Sequence, residues 1–355
     1  MSRFFSEKYA DLEAYTPGEQ PRNREYIKLN TNENPFPPHP SVTEAVRGES
    51  ARLQLYSDPE SHLLREALAR QTGLRKEKLI VTNGSDEALY FAFLAFCDRH
   101  TPAVFADITY GFYPVYAQFQ QIPFREIPLK EDLWLDPADY YQAAGTVFIA
   151  NPNAPTGIAL SRKEIEGILE QNPYNVVVVD EAYVDFGAQS CLELIAEYDN
   201  LLVIQTFSKS RSLAGGRLGL AAGNPELIAD LNMMKNSINP YNVNRLTAAA
   251  GVACLAEEEY TRRNCRTICE NREWAKKALK KLGFEMTDSM ANFLFVRHPD
   301  IDGETLYQEM KKRKILIRHF RGERIRDYNR ITVGTREEME KLVSAAEEIL
   351  QERRP

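Results

Sequence analysis

The strongest constraint on the fold is a rhythm in the middle of the chain. Three apolar runs rich in β-branched residues, TVFIA (146–150), NVVVV (175–179) and NLLVIQ (200–205), are each followed at once by polar residues. Runs this short and this apolar suit strands buried on both faces, as in a parallel sheet. CLELIAEYDN, between the last two, predicts a helical connection. SDEALYFAFLAFCDRH, soon after the apolar LIV at 79–81, predicts a helix starting at Ser85 or Asp86. Strand, helix and strand in repetition predict an α/β domain with a mainly parallel sheet.

Beyond residue 245 the texture changes. GVACLAEEEYTRRNCRTICENREWAKKALKKL reads as long, charged amphipathic helices. Strand-like FLFVRH, ILIRHF and RITVGT follow, then a last helix, REEMEKLVSAAEEILQE. This predicts a smaller α+β domain over 246–355 and a large domain over 36–245. The polar, proline-rich lead through LNTNENPFPPHP predicts an extended N-terminal arm over 1–35.

A net charge of −7, with no long basic run, argues against nucleic acid as a partner. No window approaches the roughly eighteen consecutive apolar residues that a membrane span needs. MSRFFSEKYADLEAY lacks the apolar core of a secretory signal. The five cysteines are odd in number and scattered, which fits reduced thiols in a cytoplasmic protein. Their spacing matches no zinc ribbon, and no metal is expected.

Ligands of open α/β sheets bind beyond the carboxyl ends of the strands. Asn153, Asp180 and Lys209 fall just past three such ends. TNGSDEA follows LIV and opens a helix, so Ser85 and Asp86 sit where free backbone N–H groups meet an anion such as phosphate. Each feature also has a plainer reading. Ser85, Asp86 and Asp180 are ordinary capping residues, and Lys209 is solvated decoration. Together, however, they suit a phosphorylated aldehyde, pyridoxal 5′-phosphate: lysine forms an imine with it, and an acid pairs with its ring nitrogen. On that reading Asp180 is the acid, and Asn153 (or Asn151) and Tyr183 meet the phenolic oxygen. Tyr110 stacks on the ring, while Thr206, Ser208 and Arg217 hold the phosphate with Ser85 and Asp86.

NENP (32–35), YSDPES (56–61), TNGSDEA (82–88), TYGFY (109–113), NPNAPTG (151–157), DEAY (180–183) and TFSKSRSLAGGRLG (206–219) occur in that order. The series resembles the class I/II aminotransferases of the fold-type I pyridoxal-phosphate enzymes. The resemblance implies Lys209 as Schiff-base lysine and proton shuttle, with Asp180 and Tyr183 beside it. It implies that Tyr56 reaches the cofactor phosphate of a neighbouring subunit, in a homodimer. One departure stands out: many relatives have asparagine directly before PTG, and this chain has Ala154. The phenolic-oxygen contact then passes to Asn153.

LEAYTPGEQP, KLNTNENPFPP, ILIRHF and RITVGT narrow the resemblance to histidinol-phosphate aminotransferases. That implies amino transfer from L-histidinol phosphate to 2-oxoglutarate, giving imidazole-acetol phosphate and glutamate, in histidine biosynthesis. It puts Tyr15, Asn32, Arg318 and Arg330 at the substrate, where an arginine fork serves phosphate and carboxylate alike. The plainer readings are a surface-facing Arg318, a Tyr15 that only packs the arm, and a structural His319. Threonine-phosphate decarboxylases and aromatic-amino-acid aminotransferases are rival readings within the fold. A non-catalytic regulator on the same scaffold would need a basic DNA-binding segment that the first thirty-odd residues do not offer. There is no GxxxxGK[ST] loop or HExxH helix, and GGRLGLAAG lacks the dinucleotide-binding spacing.

Overall fold

The computed structural model describes residues 2–10, 12–21 and 25–353. Met1, Asp11, Arg22, Asn23 and Arg24 of the expected arm, with Arg354 and Pro355 of the expected small domain, lie outside the described residues.

A short strand, β1 (Ile27–Lys28), precedes the main sheet. That sheet comprises β2 (Leu79–Thr82), β3 (Ala103–Ala106), β4 (Phe124–Ile127), β5 (Thr146–Ala150), β6 (Val177–Asp180), β7 (Leu201–Thr206) and β8 (Gly219–Gly223). Their order is β2-β8-β7-β6-β5-β3-β4. The run from β4 to β7 is parallel, and β8 is antiparallel to both its neighbours. Every position of β5, β6 and β7 is buried, which is what their unbroken apolar sequences predict. Side chains alternate between two cores. Val147, Val179 and Val203 face one, and Phe148, Val178 and Leu202 face the other.

The reversed strand β8 brings three chain ends together. Gly219 is the register partner of both Thr82 and Thr206. The carboxyl ends of β2 and β7 therefore meet the amino end of β8 at one point on the sheet edge. A Cβ on Gly219 would lie 2.4 Å from the Gly84 carbonyl carbon and 2.5 Å from the Ser85 nitrogen. Only glycine lets the helix Gly84–Phe96 start so close to the strand.

The remaining strands are β9 (Glu285–Met286), β10 (Phe293–Arg297), β11 (Ile315–Leu316), β12 (Arg318–His319) and β13 (Asn329–Thr332). Four of them form an antiparallel sheet, β12-β13-β10-β9, while β11 pairs in parallel with β1. Helices Glu258–Lys281, Gly303–Lys312 and Arg336–Gln351 contribute Ile268, Leu306 and Leu342 to a separate core with Phe293 and Ile331.

Three segments differ from the sequence expectation. ILIRHF divides into two strands that join different sheets. CLELIAEYDN makes only a 3-10 turn, Leu192–Ala196. Cys191, Leu194, Ile195 and Tyr198 do recur at helical spacing, but the Glu181 carboxylate captures the Cys191 N–H at 2.5 Å. The turn closes through tighter bonds, from the Leu194 N–H to the Cys191 carbonyl and from the Glu197 N–H to the Leu194 carbonyl. The charged helical stretch breaks at Glu257. The first piece, Arg245–Ala256, buries Ala250 and Cys254 in the main core, and the second buries Cys265 and Ile268 in the small one.

Residues 29–34 strap the two sheets together. Leu29 donates to the Leu316 carbonyl at 2.8 Å and accepts from the Thr332 N–H at 2.9 Å. Asn34 Nδ2 donates to the carbonyls of Lys209 (3.0 Å) and Ser210 (3.1 Å), just past β7. Gly219→Ala is expected to lower stability by about 1–3 kcal/mol, because backbone rather than a flexible side chain must give way. Urea denaturation measures this, and an unchanged midpoint would contradict the close approach.

Candidate active site

Two residues past each of the converging ends lie Gly84, Ser208 and Arg217. The helix at Gly84 has Asn83 at its N-cap and no side-chain cap bond. Capping therefore does not account for Ser85 and Asp86, and the first-turn N–H groups remain open toward the cleft. Gly84 has φ +77°, and a Cβ there would lie 2.5 Å from Arg217 Nη2. Asp86 accepts from the Tyr110 hydroxyl at 2.7 Å and from Arg217 Nη2 at 2.8 Å. Its carboxylate aims an arginine and a tyrosine. Arg217 itself has φ +52°, a left-handed backbone rarely adopted by a long side chain. Its Nη1 reaches Ser208 Oγ at 3.4 Å, and Ser208 Oγ lies 3.0 Å from Thr206 Oγ1.

These groups line a cavity of about 150 Å³ that Asp180, Tyr183 and Lys209 also line. Lys209 Nζ donates to the Thr31 carbonyl at 3.3 Å and stands 5.8 Å from the centre of the Tyr183 ring. Asp180 ends β6 and is buried. Burial pushes its carboxyl up to about 6, opposed by the Ala182 N–H and the Tyr113 hydroxyl. Those donors lie at 3.1 and 3.2 Å. The local-cap reading of Asp180 thus accounts for one of its oxygens. Glu181, next in the chain, is buried away from the cavity, and burial raises it to about 7. Cys191 N, Ser190 Oγ and Gln205 Nε2 all donate to it.

A second compartment of about 590 Å³ shares Thr31, Tyr110, Ala154, Tyr183 and Lys209 with the first, so the two are one cleft. Tyr15, Asn32, Arg318 and Arg330 line this outer part. Arg330 packs between the rings of Phe293 and Phe320, at 5.3 and 5.7 Å. Its Nη2 donates to the Asn30 carbonyl at 3.3 Å, while the enclosed Nε has no partner among the described residues. Burial lowers its pKa. A desolvated guanidinium with an unpartnered donor, beside a cleft, can receive an anion. Arg318 clasps the arm, donating to the carbonyls of Thr16 (3.1 Å) and Pro17 (3.4 Å). Tyr15 both stacks on Phe112, at 4.3 Å, and faces the cleft.

Two expectations need correction. Asn153 does not reach the cleft. Its Oδ1 accepts from Thr109 Oγ1 at 2.8 Å, and its Nδ2 donates to Ile108 O at 2.9 Å and Thr156 Oγ1 at 3.1 Å. The amide ties its loop to the segment at Ile108 and Thr109. Asn151 is likewise bound to both backbone groups of Leu160. Ala154 lines the cleft instead. Asn32 does line the cleft, but its amide is engaged by protein: Nδ2 donates to the Tyr183 hydroxyl at 2.9 Å, and Oδ1 accepts from Thr332 Oγ1 at 3.1 Å. A substrate-binding role for that amide is withdrawn. Tyr56 is 79% exposed, stacks on Tyr241 at 4.6 Å and lines neither compartment of its own chain. His319 pairs with Glu304 at 3.3 Å, outside the cleft.

Sequence reasoning missed Tyr113, whose hydroxyl bonds Asp180. Its spacing of three from Tyr110, at the start of the helix Phe112–Gln120, was the available signal. It also missed Thr31, which acts through its backbone and leaves no side-chain signature. Arg324 lines the outer compartment, where it pairs with Asp107 at 2.6 Å and donates to the Leu129 carbonyl at 2.7 Å.

The donor set fits pyridoxal phosphate. An amine and a buried acid line one cavity, and a glycine-walled cradle at a helix start carries an arginine and two hydroxyls. Fold and cleft together fit one class: an α/β enzyme with a phosphorylated cofactor. The sequence matches the family described as "Aminotransferase class I and II" over residues 24–345. The chain is 44% identical to a histidinol-phosphate aminotransferase of Clostridium botulinum, over 99% of each chain. It is 47% identical to histidinol-phosphate aminotransferase 1 of Bordetella parapertussis, over 98% of this chain and 99% of that one. The crystal structure of the Sinorhizobium meliloti histidinol-phosphate aminotransferase, in complex with pyridoxal-5′-phosphate, superposes with a TM-score of 0.85. It has 24% identity and covers 93% of this chain and 92% of that one, a likeness of fold. The chain belongs to the class I and II aminotransferases.

Asp180 and Glu181 titrate near 6 and 7 in the folded chain, against ordinary values of 3.8 and 4.5. The folded state therefore holds protons that the unfolded state has released. Their contribution to stability is complete below about pH 4 and falls as pH rises to about 7. Urea midpoints of the cofactor-free protein across that window should decline, and Glu181→Gln should flatten the decline. An unaltered slope would show that Glu181 titrates normally.

Proposed function

We propose that the protein transfers the amino group of L-histidinol phosphate to 2-oxoglutarate, yielding imidazole-acetol phosphate and glutamate, in histidine biosynthesis. The observation that carries this reading is the cleft itself: Lys209 Nζ and the buried Asp180 carboxylate line one cavity, and Arg330 waits without an anionic partner in the compartment that opens from it. The names of relatives at 43–47% identity over nearly the whole chain support the substrate.

When bound, pyridoxal phosphate supplies an aldehyde for amines to condense with and a ring that withdraws electrons from the substrate α-carbon. The chain does the rest. Lys209 would hold the cofactor through Nζ, and the same amine, when free, would take up and give back the substrate's α-proton. Asp180 holds the ring-nitrogen proton. That cation in turn favours the ionised carboxylate, with Tyr113 and the Ala182 N–H supporting the charge. Tyr110, fixed by Asp86, covers the ring, and Tyr183 meets its phenolic oxygen. Ser85 and Asp86 offer their backbone N–H groups to the phosphate, and Arg217, Ser208 and Thr206 complete its cradle. Arg330 receives the α-carboxylate of glutamate. Tyr15 and Arg318 flank the outer compartment, and the substrate phosphate would lie beside them.

The same reading makes the chain a large cofactor-binding unit with a smaller carboxyl-terminal one, acting as a cytoplasmic homodimer. Leu53, Leu55, Tyr56, Leu63 and Met233 are all more than half exposed. Their segments are tied by the Tyr56–Tyr241 stack and by Lys235 Nζ, which donates to the Pro59 carbonyl at 2.8 Å. An apolar surface of this kind suits a second copy, into whose site Tyr56 extends. The five cysteines are free, four of them buried, which suits a reducing compartment. No helix among the described residues is long and apolar enough to cross a membrane.

Purified protein given histidinol phosphate and 2-oxoglutarate should form glutamate. Threonine phosphate should release no carbon dioxide, and phenylalanine should be a poorer donor. Lys209→Ala should abolish turnover and the visible band together; multiple turnovers by that variant would refute the assignment. Arg330→Ala should raise the KM for 2-oxoglutarate by roughly 30-fold or more, the loss expected for a desolvated charge pair. Sedimentation should give a dimer, and Tyr56→Ala should weaken cofactor retention.

A further inference from the structure

We propose that Asn32 is a positioning residue for Tyr183: from the strap, it turns the tyrosine hydroxyl proton toward the phenolic oxygen of the cofactor, compensating for the donor that Ala154 lacks. The proposal rests on the pyridoxal-phosphate reading of the cleft.

The hydrogen bonds around Asn32 form one consistent set of directions. Its backbone N–H donates to Thr332 Oγ1 at 2.9 Å, and that hydroxyl donates its own proton to Asn32 Oδ1, 3.1 Å away. The carbonyl end of the amide therefore faces Thr332. The nitrogen end, Nδ2, faces the Tyr183 hydroxyl at 2.9 Å. An amide nitrogen only donates, so the tyrosine oxygen accepts and its proton must point elsewhere. Among the described residues no protein acceptor takes that proton. Tyr183 and Ala154 line both compartments of the cleft.

The other donors on that side are absent or engaged. Ala154 has no polar side chain, the amide of Asn153 is held by Thr109, Ile108 and Thr156, and that of Asn151 by Leu160. Asn32 is also suited to its place. Its backbone sits at φ +56°, a region that asparagine tolerates better than most residues. Glycine would fit that backbone and supply no donor. The Asn32 carbonyl accepts from Asn292 Nδ2 at 3.0 Å, so both ends of the peptide unit are fixed as well.

A donor aimed at the phenolic oxygen favours the state in which that oxygen carries more negative charge, and so lowers the pH at which the visible band of the holoenzyme titrates. Asn32→Ala should raise the midpoint by about one pH unit, a tenfold change in proton affinity. In a Tyr183→Phe background the same substitution should add nothing, because Asn32 acts through that hydroxyl. Ala154→Asn should lower the midpoint and shrink the effect of Asn32→Ala. Should Asn32→Ala fail to fold, Thr332→Val, which releases the amide, should move the midpoint in the same direction. A midpoint unmoved in the foldable variants, or an Asn32 effect undiminished without the Tyr183 hydroxyl, overturns the proposal. A wild-type protein with no band that borohydride fixes to Lys209 overturns the cofactor reading instead.

Discussion

The reversed strand β8 is the constraint on which the site depends. Because it runs against both neighbours, its first residue lies between the last residues of β2 and β7. A helix start, a lysine-bearing loop and an arginine, far apart in sequence, thereby overshoot the same edge by two residues each. An all-parallel sheet of the same strands would put the beginning of β8 at the opposite edge, and Arg217 with it. Gly219 and Gly84 then remove the side chains that would hold these ends apart.

The cleft is also a place where the fold is held against its own electrostatic preference. Burial works against the charge of Asp180, against that of Glu181 behind it, and against that of Arg330 across the way. Each retains donors or acceptors that ease the cost without removing it. Arg217, with its left-handed backbone, adds conformational strain held by Asp86 and Ser208. Perturbed charges and strain gathered at the carboxyl edge of an α/β sheet mark a site built to receive charged groups from outside.

Much of this was legible in the sequence, because strand burial and strand-end chemistry leave local marks. The unbroken runs in β5, β6 and β7, and the polar residues that follow them, announce a parallel sheet and its working edge. What stayed hidden was set by partners distant in the chain. Asn153 looks like a strand-end donor, yet Thr109 and Ile108, some forty residues earlier, claim its amide. Asn32 looks like a substrate contact, but Thr332, 300 residues away, orients it. The helix from Arg245 runs into the charged one after Glu257 with no glycine or proline between them, and packing shows that it belongs to the main core. Contacts made through the backbone, such as that of Thr31 with Lys209, leave no trace in side-chain identity.

The strap from Leu29 to Asn34 is hydrogen-bonded to β13 at one end and to the Lys209 loop at the other. Two consecutive residues of it, Thr31 and Asn32, touch the Lys209 amine and the Tyr183 hydroxyl beside it. The amine and the phenol are therefore referenced to a single short length of backbone, and any shift of that segment displaces both in step. Their mutual alignment is insulated from small movements between the two sheets, much as two instruments bolted to one rail keep their relative aim when the rail moves.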